Sequence, residues 1–264
     1  MRIDVILLTK NSLKPCLNDC LKSIYSNVPV NRLIVVDGGS SDGTIDLISK
    51  FPKVKVINDS KGNRATARQK GIDAVETEWH LHVDSDVILC KDWFKKASKY
   101  LKDDVGAIWG VAIPIEKHSF NIVYAMSKLY RLPIKDLLLK QIRSERYNTH
   151  DTLIRTEAVR GIRIPKDLHV WEDDYIGRYV IKKGFKFLKV KNPYCLHNVS
   201  EKRLDALQGY LIHKHQIWNF RKTFMHFLLG IPKAACIYAL TMDFEAAKRQ
   251  ALACIMLMKG WLSF

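Results

Sequence analysis

With 264 residues, 47% of them hydrophobic, the chain has enough apolar material for a sizeable core, which excludes a disordered or low-complexity protein. Its 43 Lys and Arg against 27 Asp and Glu give a formal charge of +16, which favours polyanions, phosphorylated small molecules or an anionic membrane without choosing among them. Six cysteines, at 16, 20, 90, 195, 236 and 254, are scattered with no C-x-x-C pair and no framework spacing, which suits a reducing cytosol.

The N-terminal "MRIDVILLTKNS" reads as a first strand rather than a signal peptide, because its apolar run is short and quickly interrupted. "RIDVILLT" (2–9) and "RLIVVD" (32–37) are continuous apolar runs of strand length, the pattern of strands buried on both faces. Between them Leu13, Cys16, Leu17, Cys20, Leu21 and Ile24 recur at helical spacing. The glycine-rich "VVDGGSSDGT" (35–44) leads into a short helix opening near Thr44 and capped by Ser41 or Asp42. Strand-like "KVKVIND" (53–59), a helix over about 63–75 and the strand "WHLHVD" (79–84) follow. Such alternation predicts an α/β protein with a mostly parallel sheet flanked by helices. Acids stand where three of these strands end: Asp37, Asp59, and Asp84 with Asp86. Ligands of open α/β sheets bind beyond the carboxyl ends of the strands, so these acids predict one site. His80 and His82 alternate on the last strand; packing is expected for both, with His82 facing the site as the alternative.

Residues 116–150 are rich in Lys, Arg and Tyr and predict helix and mobile loop over the sheet's active edge. In "WEDDYIGRYVIKKG" (171–184), Tyr175, Ile176, Tyr179 and Val180 share one helical face and Gly184 suits the C-cap. Glu172, Asp173 and Asp174 then sit at a helix N-terminus, where the dipole favours acids; this alone accounts for Asp174. A strand-like "FKFLKVKNPYC" leads to His197. Beyond Ser200 the chain turns helical and basic, with nine Lys and Arg against four Asp and Glu over 201–264, and with Trp218 and Trp261. No run reaches about 18 uninterrupted apolar residues, so no transmembrane helix is predicted. The pattern is that of helices at a membrane interface or an oligomer contact. The expected organisation is a catalytic domain over 1–200 and a helical extension over 201–264.

A D-x-D pair at a strand end suits a hard divalent cation, which prefers carboxylate oxygens and keeps positions open for phosphate. The glycines after Asp37 let the backbone approach a ligand, and Asp37 is placed to accept hydrogen bonds from a base or ribose. Six stretches in order, "VILLTKN" (5–11), "VVDGGSSDGT" (35–44), "GNRATARQKGIDAV" (62–75), "HVDSD" (82–86), "WEDDYIGRYVIKKG" (171–184) and "LHN" (196–198), resemble the inverting nucleotide-sugar glycosyltransferases of GT-A fold and family 2 type. The resemblance implies nucleotide contacts at Thr9, Asn11, Asp37 and Arg68, with Asp84 near the ribose. It implies Asp86 as the ligand of Mn²⁺ or Mg²⁺, with His197 as an additional ligand. Asp173 is implied as the base, with Glu172 as runner-up. Gly38 stands where many members carry a second Asp, and "NTH" precedes "DTLIRTEAV" (151–159) where members often place Gly, so neither receives a role.

The implied reaction is a single inverting displacement from a UDP-sugar, with GDP-mannose the main rival donor, to a hydroxyl or a polyprenyl phosphate. A lipid-linked acceptor and a peripheral position at the cytosolic membrane face follow from the basic, aromatic C-terminal helices, and a homo-oligomer is the other use for them. Absence of Q-x-x-R-W points to a non-processive enzyme. A sugar-nucleotide-synthesising nucleotidyltransferase is disfavoured because "LLTKNSLKPCL" lacks a glycine-rich phosphate loop. Nucleic-acid binding is disfavoured because strand-end acids repel phosphates and no recognition module is present.

Overall fold

The computed structural model describes residues 1–115, 147–198 and 206–263, with isolated positions 127, 131, 133, 136 and 137. The helix and mobile loop expected over 116–150 therefore lie outside the described residues, apart from 147–150 and those isolated positions. Two compact units emerge, Met1–Ile115 with Leu138–Asn198, and Glu116–Leu137 with Val199–Phe264.

The first unit is built on strands β1 (Ile3–Thr9), β2 (Val30–Asp37), β3 (Val54–Asn58), β4 (Trp79–Asp84), β5 (Val87–Leu89), β6 (Val105–Pro114), β7 (Asp151–Arg155) and β8 (Lys186–His197). They form one sheet in the order β3-β2-β1-β4-β7-β6-β8-β5. β1 pairs in parallel with β2 and β4, as do β2 with β3 and β6 with β8. β7 runs antiparallel to both β4 and β6, and β5 antiparallel to β8. The chain therefore leaves the middle of the sheet after Asp84 and re-enters it at the far edge at Val87.

Helices cover both faces, which is why residues 5–8 of β1 and 33–36 of β2 are unbroken apolar runs. Ile3, Val5 and Leu7 of β1 pack with Leu17, Cys20, Leu21 and Ile24 of α1 (Leu17–Asn27), with Ile48 of α2 (Thr44–Ile48) and with Trp93 of α4 (Trp93–Ala97). On the other face Ile6 meets Ala65 and Ile72 of α3 (Arg64–Asp73), and Ile176 and Val180 of α6 (Glu172–Lys182) lie beside α5 (Thr156–Val159). A Cβ at Gly71 would stand 2.6 Å from Ile6 Cγ2, so glycine lets α3 ride directly on β1. At the amino end of β1 the fully buried Asp4 accepts from Arg32 Nη2 at 2.8 Å, Asn31 Nδ2 at 2.9 Å and Glu76 N at 2.9 Å. Burial would raise its pKa, yet Arg32 and these bonds hold it below the usual carboxylate value.

α1 begins at Leu17, four residues later than the apolar spacing from Leu13 suggests. The reason is local: Ser12 N donates to Thr44 Oγ1 and Leu13 N to Asp42 Oδ2, so this segment is strapped to the next loop instead of coiling.

The second unit contains α7 (Leu207–Lys214), α8 (Phe220–Thr241) and α9 (Phe244–Leu262). Asn219 caps α8 by accepting from Lys222 N, and Asp243 caps α9 by accepting from Ala246 N, both at 2.9 Å. Gly260 of α9 sits against the Ala206 carbonyl beside α7, where any Cβ would collide. Pro232 lies within α8 without ending it. The uninterrupted helix has 22 residues and, by length and composition alone, is long and apolar enough to cross a membrane. The linear reading expected no such segment, because it broke the apolar run at Pro232 and Lys233.

Candidate active site

The carboxyl ends of the strands fall in one row, Thr9 opposite Asp37 and Asp37 opposite Asn58, with Asp84 opposite Leu8 one residue back. Asp37 is buried and accepts four hydrogen bonds: from Thr9 Oγ1 at 2.9 Å, Ser40 Oγ at 2.6 Å, Ser40 N at 2.8 Å and Gly39 N at 2.9 Å. Burial pushes its pKa up, but those donors outweigh it and the carboxylate is held below the ordinary value. Asn11, in the left-handed region with φ 49°, donates its N–H to Ser40 Oγ and accepts from Ser41 N. Thr9 and Asn11 thus serve first to lock the β1 and β2 loops together. The N-cap of α2 is Gly43 and not Ser41 or Asp42 as expected; Asp42, one residue earlier, accepts from Thr44 N and Oγ1. Asp59 is buried and engaged by Thr66 Oγ1 at 2.6 Å and Lys70 Nζ at 2.7 Å, so it anchors α3 instead of facing a ligand.

Asp84 ends β4, and its carboxylate, a third exposed, accepts from Arg68 Nη2 at 2.5 Å. Arg68 is buried, and its Nη1 lies 3.3 Å from His82 Nδ1. A guanidinium only donates, so that nitrogen accepts, and His82 is held neutral by burial and by Arg68, its pKa well below the ordinary value. His80 Nδ1 meets Thr156 Oγ1 at 3.0 Å, and burial takes its pKa down to about 3. Both histidines pack, as expected. Burial works against the charge on Asp84, but Arg68, with smaller contributions from His150 and His197, keeps its pKa low. Ser85 Oγ donates to Ser12 Oγ at 3.1 Å and ties the D-x-D turn to the β1 loop. Asp86 follows in the turn, 3.4 Å from His197 Nε2, and its carbonyl accepts from Asn198 N. Burial alone would lower the His197 pKa; Asp86, and more distantly Asp84 and Asp151, raise it instead.

α6 opens at Trp171, itself left-handed at φ 76°, and presents Glu172, Asp173 and Asp174, all buried. Asp174 accepts from Tyr147 N at 3.0 Å and from Arg178 Nε at 2.5 Å, a structural role as expected, but one set by these partners and not by the helix dipole alone. Asp173 Oδ1 accepts from Asp174 N at 2.8 Å. Glu172 has its pKa pushed up to about 7, first by burial and then by the charge of Asp173, against the pull of Arg68 and Arg64. Arg68 feels both Glu172 and Asp173 as well as Asp84, so one buried cation links the helix acids to the D-x-D strand.

A network beneath these residues escaped the sequence reading. Trp109 Nε1 donates to His150 Nε2 at 3.0 Å, His150 Nδ1 lies 2.9 Å from Asp151 Oδ1, and Trp93 Nε1 donates to Asp151 Oδ2 at 3.1 Å. The His150 carbonyl also accepts from Asp84 N, and its ring lies 5.2 Å from that of His197. His150, Asp151 and Cys195 place possible metal donors within 4.8 Å of one another. Yet His150 Nε2 is taken by Trp109, its Nδ1 lies against Asp151, Asp151 Oδ2 is taken by Trp93, and burial drives the Cys195 thiol well up. These groups brace the site. Asp86 with His197 is the donor set that suits a divalent cation: an oxygen and an imidazole, side by side and part-exposed, next to the already neutralised Asp84. Ser40 was also missed, although it lies inside the quoted "GGSSDG".

An α/β sheet with strand-end acids at its switch and a helix presenting buried carboxylates is the architecture of a GT-A glycosyltransferase. The chain belongs to glycosyl transferase family 2, whose family model matches residues 4–163. It is similar to the O-antigen chain rhamnosyltransferase RfbN of Salmonella typhimurium, with 25% identity over 80% of this chain and 70% of the relative. Glycosyltransferase GlyG of Streptococcus pneumoniae is 23% identical over 56% of this chain and 52% of its own length. Among solved structures, S. aureus TarS 1-349 superposes with a TM-score of 0.58 at 15% identity, covering 100% of this chain and 72% of that one. Mannosyltransferase PcManGT from Pyrobaculum calidifontis, in complex with GDP-Man and Mn²⁺, gives 0.59 at 16% identity over 99% and 74%. The chain is a glycosyltransferase, a sugar-transferring enzyme.

Proposed function

We propose that this glycosyltransferase is metal-dependent and inverting, and that it transfers one or a few sugars from a nucleoside-diphosphate sugar to a hydroxyl or lipid-phosphate acceptor. The observation that carries the reading is the pairing of Asp86 with His197 beside the Arg68–Asp84 ion pair. Residues 1–200 carry the catalysis in this reading, and 201–264 attach the enzyme to the cytosolic membrane face where a lipid-linked acceptor resides. UDP-sugars are the favoured donors and GDP-mannose the rival; TarS 1-349 is described with UDP-GlcNAc and PcManGT with GDP-Man.

Thr9, Asn11 and Asp37 form the rigid floor for the nucleoside, with Asp37 fixed as an anion by Ser40. Arg68 holds Asp84 in place toward the ribose. Asp86 and His197 hold Mn²⁺ or Mg²⁺, which when bound supplies positive charge against the departing diphosphate. The acceptor oxygen attacks the anomeric carbon from the face opposite that leaving group, and Asp173 takes its proton. With a lipid phosphate the attacking oxygen is already anionic, and Asp173 then positions rather than deprotonates.

Glu172 is a second reading for the base, favoured by its pKa of about 7, near the working range of a proton acceptor. The two readings separate on Asp173→Asn and Glu172→Gln. For a hydroxyl acceptor, the variant of the true base loses about 10²- to 10⁴-fold in kcat. The proposal as a whole is tested by donor hydrolysis across UDP- and GDP-sugars, with and without Mn²⁺, repeated on Asp86→Ala. Metal-dependent turnover by the wild type and its loss in the variant are expected; unchanged turnover removes Asp86 from the mechanism.

A further inference from the structure

We infer that the outer face of the α8–α9 hairpin docks on an anionic lipid bilayer, with both helices lying in the headgroup plane rather than crossing it. Thr223, Gly230, Ala234 and Ile237 form the buried stripe of α8, and Gly230 abuts Cys254 of α9. The opposite side leaves Phe224, Leu228, Leu229 and Ile231 exposed, Leu229 by 59%, and Met242 at the hairpin tip by 73%. Large apolar side chains exposed side by side mark an interaction surface. On α9, Lys248, Leu252, Ile255, Lys259 and Leu262 follow one another at helical spacing and are all exposed. Lysines interleaved with aliphatic residues can lay their stems on acyl chains while the ammonium groups reach lipid phosphates.

Charge selects the occupant. Over the α8–α9 hairpin, Arg221, Lys222, Lys233, Lys248, Arg249 and Lys259 stand against two acids, Asp243 at the α9 cap and Glu245, which lies 3.8 Å from Lys248. A symmetric contact with a second copy would set these like charges against themselves, whereas anionic lipid complements them. Crossing the bilayer is disfavoured by Pro232 and Lys233 near the middle of α8. It is disfavoured again because α9 packs alongside and would carry Lys248 and Arg249 into hydrocarbon. This deepens the peripheral location in the proposed function; donor hydrolysis in solution does not depend on it, so the two fail separately.

The test is flotation of the full chain with vesicles of phosphatidylcholine alone and of equimolar phosphatidylcholine and phosphatidylglycerol. We expect binding to the anionic vesicles that weakens as salt rises and is at least about ten-fold tighter than to the neutral ones. Lys248→Gln with Lys259→Gln should loosen it about twenty-five-fold, at about five-fold per basic side chain. Leu228→Ser with Leu229→Ser should abolish it, while both double variants keep donor hydrolysis in solution as proof of an intact fold. Three results overturn the inference: no partition into anionic vesicles at low salt, a dimer dissolved by Leu229→Ser, or retention on vesicles after alkaline carbonate washing. The second would assign the face to another copy and the third to a membrane span.

Discussion

Glu172 carries a pH signature that can be read without knowing the substrate. Its folded pKa of about 7 lies above the ordinary 4.5, so between these values the native state keeps a proton that the unfolded chain releases. Stability therefore falls as pH rises through that interval and levels off beyond it. Glu172→Gln removes the dependence: its melting temperature should match the wild type below 4.5 and exceed it increasingly up to about 7. Parallel melting curves would show that burial does not raise this group. The individual residues were legible to different degrees. Asp37, Arg68, Asp84, Asp86 and His197 stand in short ordered motifs, whereas His150 gains its place from contacts with Trp109, 41 residues away, and with Asp84 through the backbone. No local pattern encodes such a bracing group. Burial of Glu172 was equally unreadable, since acids at a helix N-terminus are ordinarily exposed.

Among the elements, α3 joins fold to site, because it bears Arg68 on the helix that Gly71 seats on β1. Its start is fixed by a capping box: Asn63 Oδ1 accepts from Ala65 N and Thr66 N, and Thr66 Oγ1 accepts from Asn63 N. Asn63→Ala should cost about 1 kcal/mol, measurable in urea unfolding, with a weaker affinity for donor as Arg68 loses its fixed seat. The strand–helix alternation up to β4 was readable because apolar runs of strand length alternate with helical spacing and are separated by Gly-, Asn- and Asp-bearing turns. Beyond it the linear pattern was silent on topology. The inversion of β7 and the jump of β5 to the sheet edge depend on pairings between segments far apart in sequence, and the five-residue β7 has no flanking turn signal of its own.

For the whole molecule, the formal charge of +16 favours anionic ligands, and in the proposed reading the strand-end acids require a cation beside the diphosphate. Nucleoside diphosphate together with Mn²⁺ should raise the melting temperature, by about 2.7 kcal/mol of added stability at roughly a hundred times Kd, while either alone should do little. An equal shift from nucleotide with chelator would count against the assigned ligand set. One feature of the sheet gives that experiment a direction. Asp84 belongs to a strand bonded to β1 and β7, whereas Asp86 lies in the turn just before a strand bonded only to β8 at the rim. A ligand gripping both carboxylates staples the middle of the sheet to its border, so amide exchange should slow most at 85–89 and 195–198. Cargo, on this view, finishes the architecture that holds it.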